Sequence, residues 1–180
     1  MKHTISVLVE NHFGVLAHVA GLFSARGFNI DSLAVGETED ETVSRMTIVA
    51  HGDERIIEQI MKQLNKLVDV IKVQDLSNEE NISRELVLVK VHATAGSRSD
   101  ILQVVNTFRA KVVDVSTQSL TVEVTGNEEK VDAMLELFRP FGIKEVVRTG
   151  TIALARKTEL NLKKEKGESG AKAETASKKS

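Results

Sequence analysis

The run Ile5-Ser6-Val7-Leu8-Val9, the break Glu10-Asn11-His12-Phe13-Gly14, and the positions Leu16, Val19, Ala20 and Phe23 decide the fold. The first run is mostly apolar and of strand length. The break is polar and ends in glycine. The four apolar positions after it fall at i, i+3, i+4 and i+7, one face of a helix. Gly27 stands where that helix ends and a left-handed residue is usual. Phe28–Gly36 alternates and reads as a strand, Glu37–Glu41 as an acidic turn, and Val43–Ala50 as the next strand. Gly52-Asp53 opens a second helix, on which Ile57, Ile60, Met61 and Leu64 repeat the spacing. Val68–Leu76 returns as a strand. The order is βαββαβ.

The same order recurs. Ser77–Ser83 is polar and reads as a linker. Leu86–Val91 is the next strand, and Ile101, Val104, Val105 and Phe108 mark a helix. Val112–Val115 and Leu120–Val124 are strands around Thr117-Gln118-Ser119. Asn127 suits the cap of a helix carrying Val131, Met134, Leu135 and Phe138, which Pro140 stops. Ile143–Arg148 closes the unit. The expected fold class is α+β: two tandem βαββαβ domains of ferredoxin-like layout, at residues 1–76 and 84–156, joined by the linker 77–83. Each is a four-stranded antiparallel sheet with two helices over one face. The opposite face must stay wet or find a partner.

Composition excludes several classes. The chain of 180 residues has no Cys, Trp or Tyr and one Pro. Disulfide scaffolds, cysteine-ligated zinc, iron–sulfur clusters and thiol nucleophiles are therefore absent. The apolar residues are mainly aliphatic and valine-rich, which suits strands. The formal charge is −2, and seven Lys against four Glu after Arg156 leave residues 1–156 at −5. Such a body does not attract nucleic acid or an anionic membrane. Residues 157–180 are too poor in apolar side chains to fold alone and read as a disordered basic tail. No apolar run approaches the about 20 residues of a membrane span, and no signal-peptide h-region opens the chain. The expected location is the cytoplasm.

The layout is shared with single-strand RNA binders, which stack bases on aromatic residues of the exposed sheet face. The central strands Ile5–Val9, Met46–Val49 and Leu120–Val124 carry none. Catalysis is also poorly supported. Five histidines (His3, His12, His18, His51, His92) include no HxH or HExxH spacing, and no metal is expected. His12 and His18 flank Gly14 with no carboxylate at metal spacing nearby in sequence. The acidic Asp31, Glu37, Glu39, Asp40 and Glu41 suit an exposed hairpin. No nucleophile, Walker or GxGxxG motif occurs.

The strand–glycine–helix junction is more informative. A helix N-terminus has unpaired amides and partial positive charge, so it can hold a carboxylate. Gly14 permits close approach. Asn11 and Asn29 offer side-chain amides, and Leu16 and Ile30 an apolar wall, which together suit an α-amino acid. Glycine at such a junction also serves as a plain turn residue.

Ser6–Leu16, continuing through Gly21–Leu33, resembles the ACT domain of the acetohydroxyacid synthase (acetolactate synthase) small regulatory subunit. Ser44–Val49 and Gln63–Val70 match that family as well. Arg84–Val91, Phe108–Val115 and Arg148-Thr149-Gly150 look like its C-terminal domain. The resemblance covers about residues 2–156. Where Phe13 stands, the family often has Pro or Ser.

The resemblance implies a non-catalytic subunit without a cofactor of its own. It would pair as a homodimer through its ACT domains and bind a catalytic large subunit that carries thiamine diphosphate, Mg2+ and FAD. It would activate that subunit and confer feedback inhibition by valine or a related branched-chain amino acid. The implied effector site has the amides of Gly14, Val15 and Leu16 on the carboxylate. Asn11 and Asn29 act on the polar groups across the dimer, and Ile30 touches the side chain. A free-standing amino-acid sensor acting on another enzyme or in transcription is the alternative. It would need a basic recognition surface or helix-turn-helix, which residues 1–156 lack.

Overall fold

The computed structural model describes residues 1–156; the tail expected at 157–180 lies outside them. The first half runs β1 (Lys2–Glu10), α1 (Val15–Ala25), β2 (Ile30–Glu37), β3 (Val43–His51), α2 (Glu54–Leu64) and β4 (Val70–Asp75). Its strands form an antiparallel sheet in the order β2-β3-β1-β4. The second half runs β5 (Asn81–His92), α3 (Arg98–Thr107), β6 (Lys111–Val115), β7 (Ser119–Gly126), α4 (Glu128–Phe138), a 3-10 turn (Arg139–Phe141), β8 (Ile143–Arg148) and β9 (Ile152–Ala155). Its sheet has the order β6-β7-β5-β8. Both halves therefore have the expected α+β, ferredoxin-like layout.

Strand alternation builds each core. In the first half Ile5, Val7 and Val9 of β1 pair with Ile48, Met46 and Ser44 of β3. This face is closed by Val15, Val19 and Phe23 of α1 and by Ile57, Ile60 and Leu64 of α2. In the second, Val87, Val89 and Val91 oppose Val124, Val122 and Leu120. Ile101 and Val105 of α3 and Val131, Met134 and Phe138 of α4 cover them. The helix starts follow capping chemistry: Asp53 accepts from the Ile56 amide at 2.9 Å and Asn127 from the Lys130 amide at 3.2 Å. Gly27 closes α1 with φ +68°.

Three details differ from the sequence expectation. The buried face of α1 is rotated, so Val15 enters the core and Leu16 stays 47% exposed. The strand expected from Val68 begins at Val70, and Val68 is exposed. The third difference lies at the junction of the halves. β5 begins at Asn81, inside the polar stretch, and its first four residues pair with β9, from Asn81↔Ala155 to Arg84↔Ile152. β9 lies against β1. Ser6, Thr47 and Val49, on the face of the first sheet away from its helices, are 4% exposed or less. The chain's own β5–β9 ribbon, with Ala153 buried, lies over that face.

A polar cleft of about 310 Å3 lies between the halves, lined by Lys2, Asp31, Ser32, Glu85, Glu128 and Arg148 among others. Lys2 pairs with Glu128 across it. Arg148 bonds Glu85 at 3.2 Å and Asp132 at 2.5 Å. Burial pushes the Glu85 carboxyl up, Arg148 opposes this, and Asp132 and Glu128 add to it. The Thr151 amide donates to Ser32 Oγ at 3.0 Å. Beside it, Gly150 has φ +83°, and a Cβ there would stand 2.6 Å from the same Oγ.

Candidate functional site

The Asn11–Leu16 junction is held from three sides. The Glu10 amide donates to the Asp69 carbonyl at 2.8 Å and the Asn11 amide to the Thr42 carbonyl at 2.7 Å. The Asn11 side-chain amide donates to Glu37 Oε1 at 3.1 Å and to the Glu41 carbonyl at 2.9 Å. Asn11 therefore ties the glycine turn to the β2–β3 hairpin. Gly14 is the N-cap of α1 in the left-handed region, φ 89° and ψ −14°, a conformation that favours glycine.

Among the described residues no side chain caps this helix end, and its first turn holds no acidic residue. The first amides of α1 thus keep their partial positive charge and their capacity to donate. Nothing lies within 4 Å of the place a Gly14 Cβ would occupy, so there is room in front of the turn. Val15 points its side chain into the core, Leu16 is half-exposed, and Phe13 is fully exposed.

Asn29 and Ile30 are elsewhere. Ile30 pairs with Ala50, which faces His3, whereas Glu37 pairs with Ser44, which faces Val9. The Asn11–Leu16 junction and the Asn29-Ile30 pair therefore sit at opposite ends of the sheet. They are separated by the eight residues of β2, about 24 Å at roughly 3.4 Å per residue. Asn29 donates to Asp31 Oδ1 at 2.8 Å, and Ile30 packs on the edge of the core. A single chain does not bring the six expected residues together; it holds them in two separate groups, both next to the edge strand β2.

A second group beside the turn escaped the sequence reading. His12 Nε2 lies 3.0 Å from Asp69 Oδ1, and His18 Nδ1 lies 2.9 Å from Asp69 Oδ2. Glu10 Oε2 is 3.7 Å from His12 Nε2. His12 Nδ1 is bound to the Phe13 carbonyl at 3.0 Å. That bond raises the His12 pKa, desolvation opposes it, and Asp69 and Glu10 add to it. The hydrogen bond with His18 leads in holding the Asp69 carboxyl below its ordinary range, with His12 adding and burial opposing. The histidines do have a carboxylate after all. It arrives from β4's approach, 51 residues from His18 in the chain, where no spacing motif could reveal it.

Residues 5–72 match the family model described as the AHAS small subunit-like ACT domain, and residues 84–157 the small subunit of acetolactate synthase. The chain is 56% identical over 156 residues to a probable acetolactate synthase small subunit of Archaeoglobus fulgidus, covering 87% of this chain and 98% of that one. It is 57% identical to the acetolactate synthase small subunit of Mycobacterium bovis, over 86% of this chain and 92% of that one. The crystal structure of the acetolactate synthase small subunit from Thermotoga maritima superposes with a TM-score of 0.79 at 41% identity, covering 88% of this chain and 99% of that one. With both halves matched in order and nearly the whole of each relative spanned, the chain belongs to the acetolactate synthase small-subunit family.

Proposed function

We propose that this chain is the regulatory subunit of acetolactate synthase. It binds the catalytic large subunit, raises its activity and makes it subject to inhibition by valine or a related branched-chain amino acid. The chemistry belongs to the partner, whose thiamine diphosphate, Mg2+ and FAD carry the condensation of 2-oxo acids. This chain contributes a shift in the partner's conformational equilibrium, in the cytoplasm. Valine inhibits because it binds one state of the complex more tightly than the other.

The observation that carries this reading is the separation of the two groups along β2. If two copies pair antiparallel through their β2 edges, the start of one β2 lies beside the end of the other. Asn29 and Ile30 of one copy then approach Glu37, and hence Asn11 and Gly14, of the second. The twofold makes two equivalent effector sites, each with a helix N-terminus for the carboxylate, amide side chains for the polar groups and Ile30 for the aliphatic branch. It also covers an exposed strand edge.

The test is valine inhibition of the reconstituted two-subunit enzyme with Gly14→Asp. Open space at the Gly14 Cβ position lets the new carboxylate fit, at roughly 1–2 kcal/mol of backbone strain. We expect activation to survive and valine sensitivity to disappear, because the side chain repels the ligand's anion. Undiminished inhibition overturns the site.

A further inference from the structure

Glu10, His12 and Asp69 are exposed or half-buried groups that the effector reading leaves unused, yet their side chains aim at one point. The carbonyl of Phe13 can only accept, so the His12 Nδ1 bound to it at 3.0 Å carries a hydrogen. A charged ring donates its Nε2–H to Asp69 Oδ1 at 3.0 Å, and the neutral ring turns its Nε2 lone pair toward that oxygen and toward Glu10 Oε2 at 3.7 Å. With the ring neutral, three lone-pair atoms face one another. They suit a cation that all three can bind.

We propose that Glu10 Oε2, His12 Nε2 and Asp69 Oδ1 form a site for a zinc-type divalent cation, with a fourth position open to water. One imidazole and two carboxylates are a ligand set that Zn2+ and Co2+ accept. The three atoms lie within 4.8 Å of one another. Ligand atoms about 2.1 Å from a tetrahedral ion stand roughly 3.4 Å apart, and the distances of 3.0 and 3.7 Å bracket that value. The outer partners are also in place. The Phe13 carbonyl fixes the tautomer of His12, and His18 Nδ1 holds the second oxygen of Asp69 at 2.9 Å. Such partners orient metal ligands. His18 is a positioning residue here.

The site ties β1, the turn before Gly14 and the loop before β4, so an ion would stiffen the turn. Its existence does not depend on effector binding.

The experiment titrates the full chain, free of any polyhistidine tag, with Zn2+ alone by calorimetry at pH 8, and with Co2+ while recording its visible absorption. We expect one saturable site per chain and the intense bands of a low-coordinate Co2+. His12→Gln and Asp69→Asn should each abolish that site. His18→Gln should weaken it by about 10- to 100-fold, and His51→Gln should leave it intact. His12 and His18 are exposed, so their variants should fold, as circular dichroism will check; the His12 result stands even where Asp69→Asn perturbs the chain. Absence of saturable binding, or binding unaltered by His12→Gln, overturns the proposal.

Discussion

Replacing Gly150 with alanine isolates how the two halves are joined. Two costs apply. Alanine at φ +83° pays the left-handed strain of roughly 1–2 kcal/mol. Its Cβ would also stand 2.6 Å from Ser32 Oγ, so that hydroxyl must rotate away. The Thr151 amide then loses its 3.0 Å acceptor, a further loss of about 1 kcal/mol. The sum is about 2–3 kcal/mol. Ser32→Ala alone removes the same acceptor and should cost about 1 kcal/mol. The double variant loses that hydrogen bond only once, so its cost should fall short of the sum of the singles by about 1 kcal/mol. Urea unfolding monitored by circular dichroism, with slopes compared across the four proteins, measures all three differences. Additivity within about 0.5 kcal/mol, or a Gly150→Ala protein as stable as the parent, would refute the reasoning.

Asp75 gives a pH prediction. Burial alone would raise its carboxyl, but the hydroxyl and amide of Ser77, aided by His3, outweigh burial and hold it below the ordinary value of 3.8. A carboxyl depressed in the folded state contributes stability that is complete above its unfolded value and lost as pH falls through the folded one. Acid unfolding below about pH 4 should therefore be shallower in Asp75→Asn than in the parent; parallel acid limbs would contradict the assignment. Asp53→Ala removes the cap bonded to the Ile56 amide at 2.9 Å and should cost about 1 kcal/mol in urea unfolding. A change below about 0.3 kcal/mol would mean that water replaces the cap fully.

Most of the fold was legible because its signals are local. The apolar runs Ile5–Val9 and Leu86–Val91 read as strands, which deliver Ile5, Val7 and Val9 to one core and Val87, Val89 and Val91 to the other, and Asp53, Asn127 and Gly27 marked helix ends by chemistry that each residue carries alone. What escaped depended on distant pairing. Asn81–Arg84 lacks an apolar alternation, and it becomes a strand because Ile152–Ala155 runs beside it. Leu16 fits the helical spacing as well as Val15 does; the entry angle after the left-handed Gly14 decides which of them faces the core. Of the candidate site, the turn and its donor amides were readable. Asn11's ties to Glu37 and Glu41, and Asp69's position between two histidines, are products of the folded sheet.

The β5–β9 ribbon bears on the order of events during synthesis. The first sheet is complete once Asp75 has emerged, but Ser6, Thr47 and Val49 receive their cover only when Ile152–Ala155 arrives. At about 5–20 residues per second, the nascent chain carries that half-dressed sheet for roughly 4–15 seconds. The polar hydroxyls of Ser6 and Thr47 on that face make the wait tolerable in water, whereas an all-aliphatic face would invite association with neighbouring chains. A chain cut after Leu76 would remain in that state permanently, so such a fragment reports on an uncovered sheet rather than on the first domain of the intact protein.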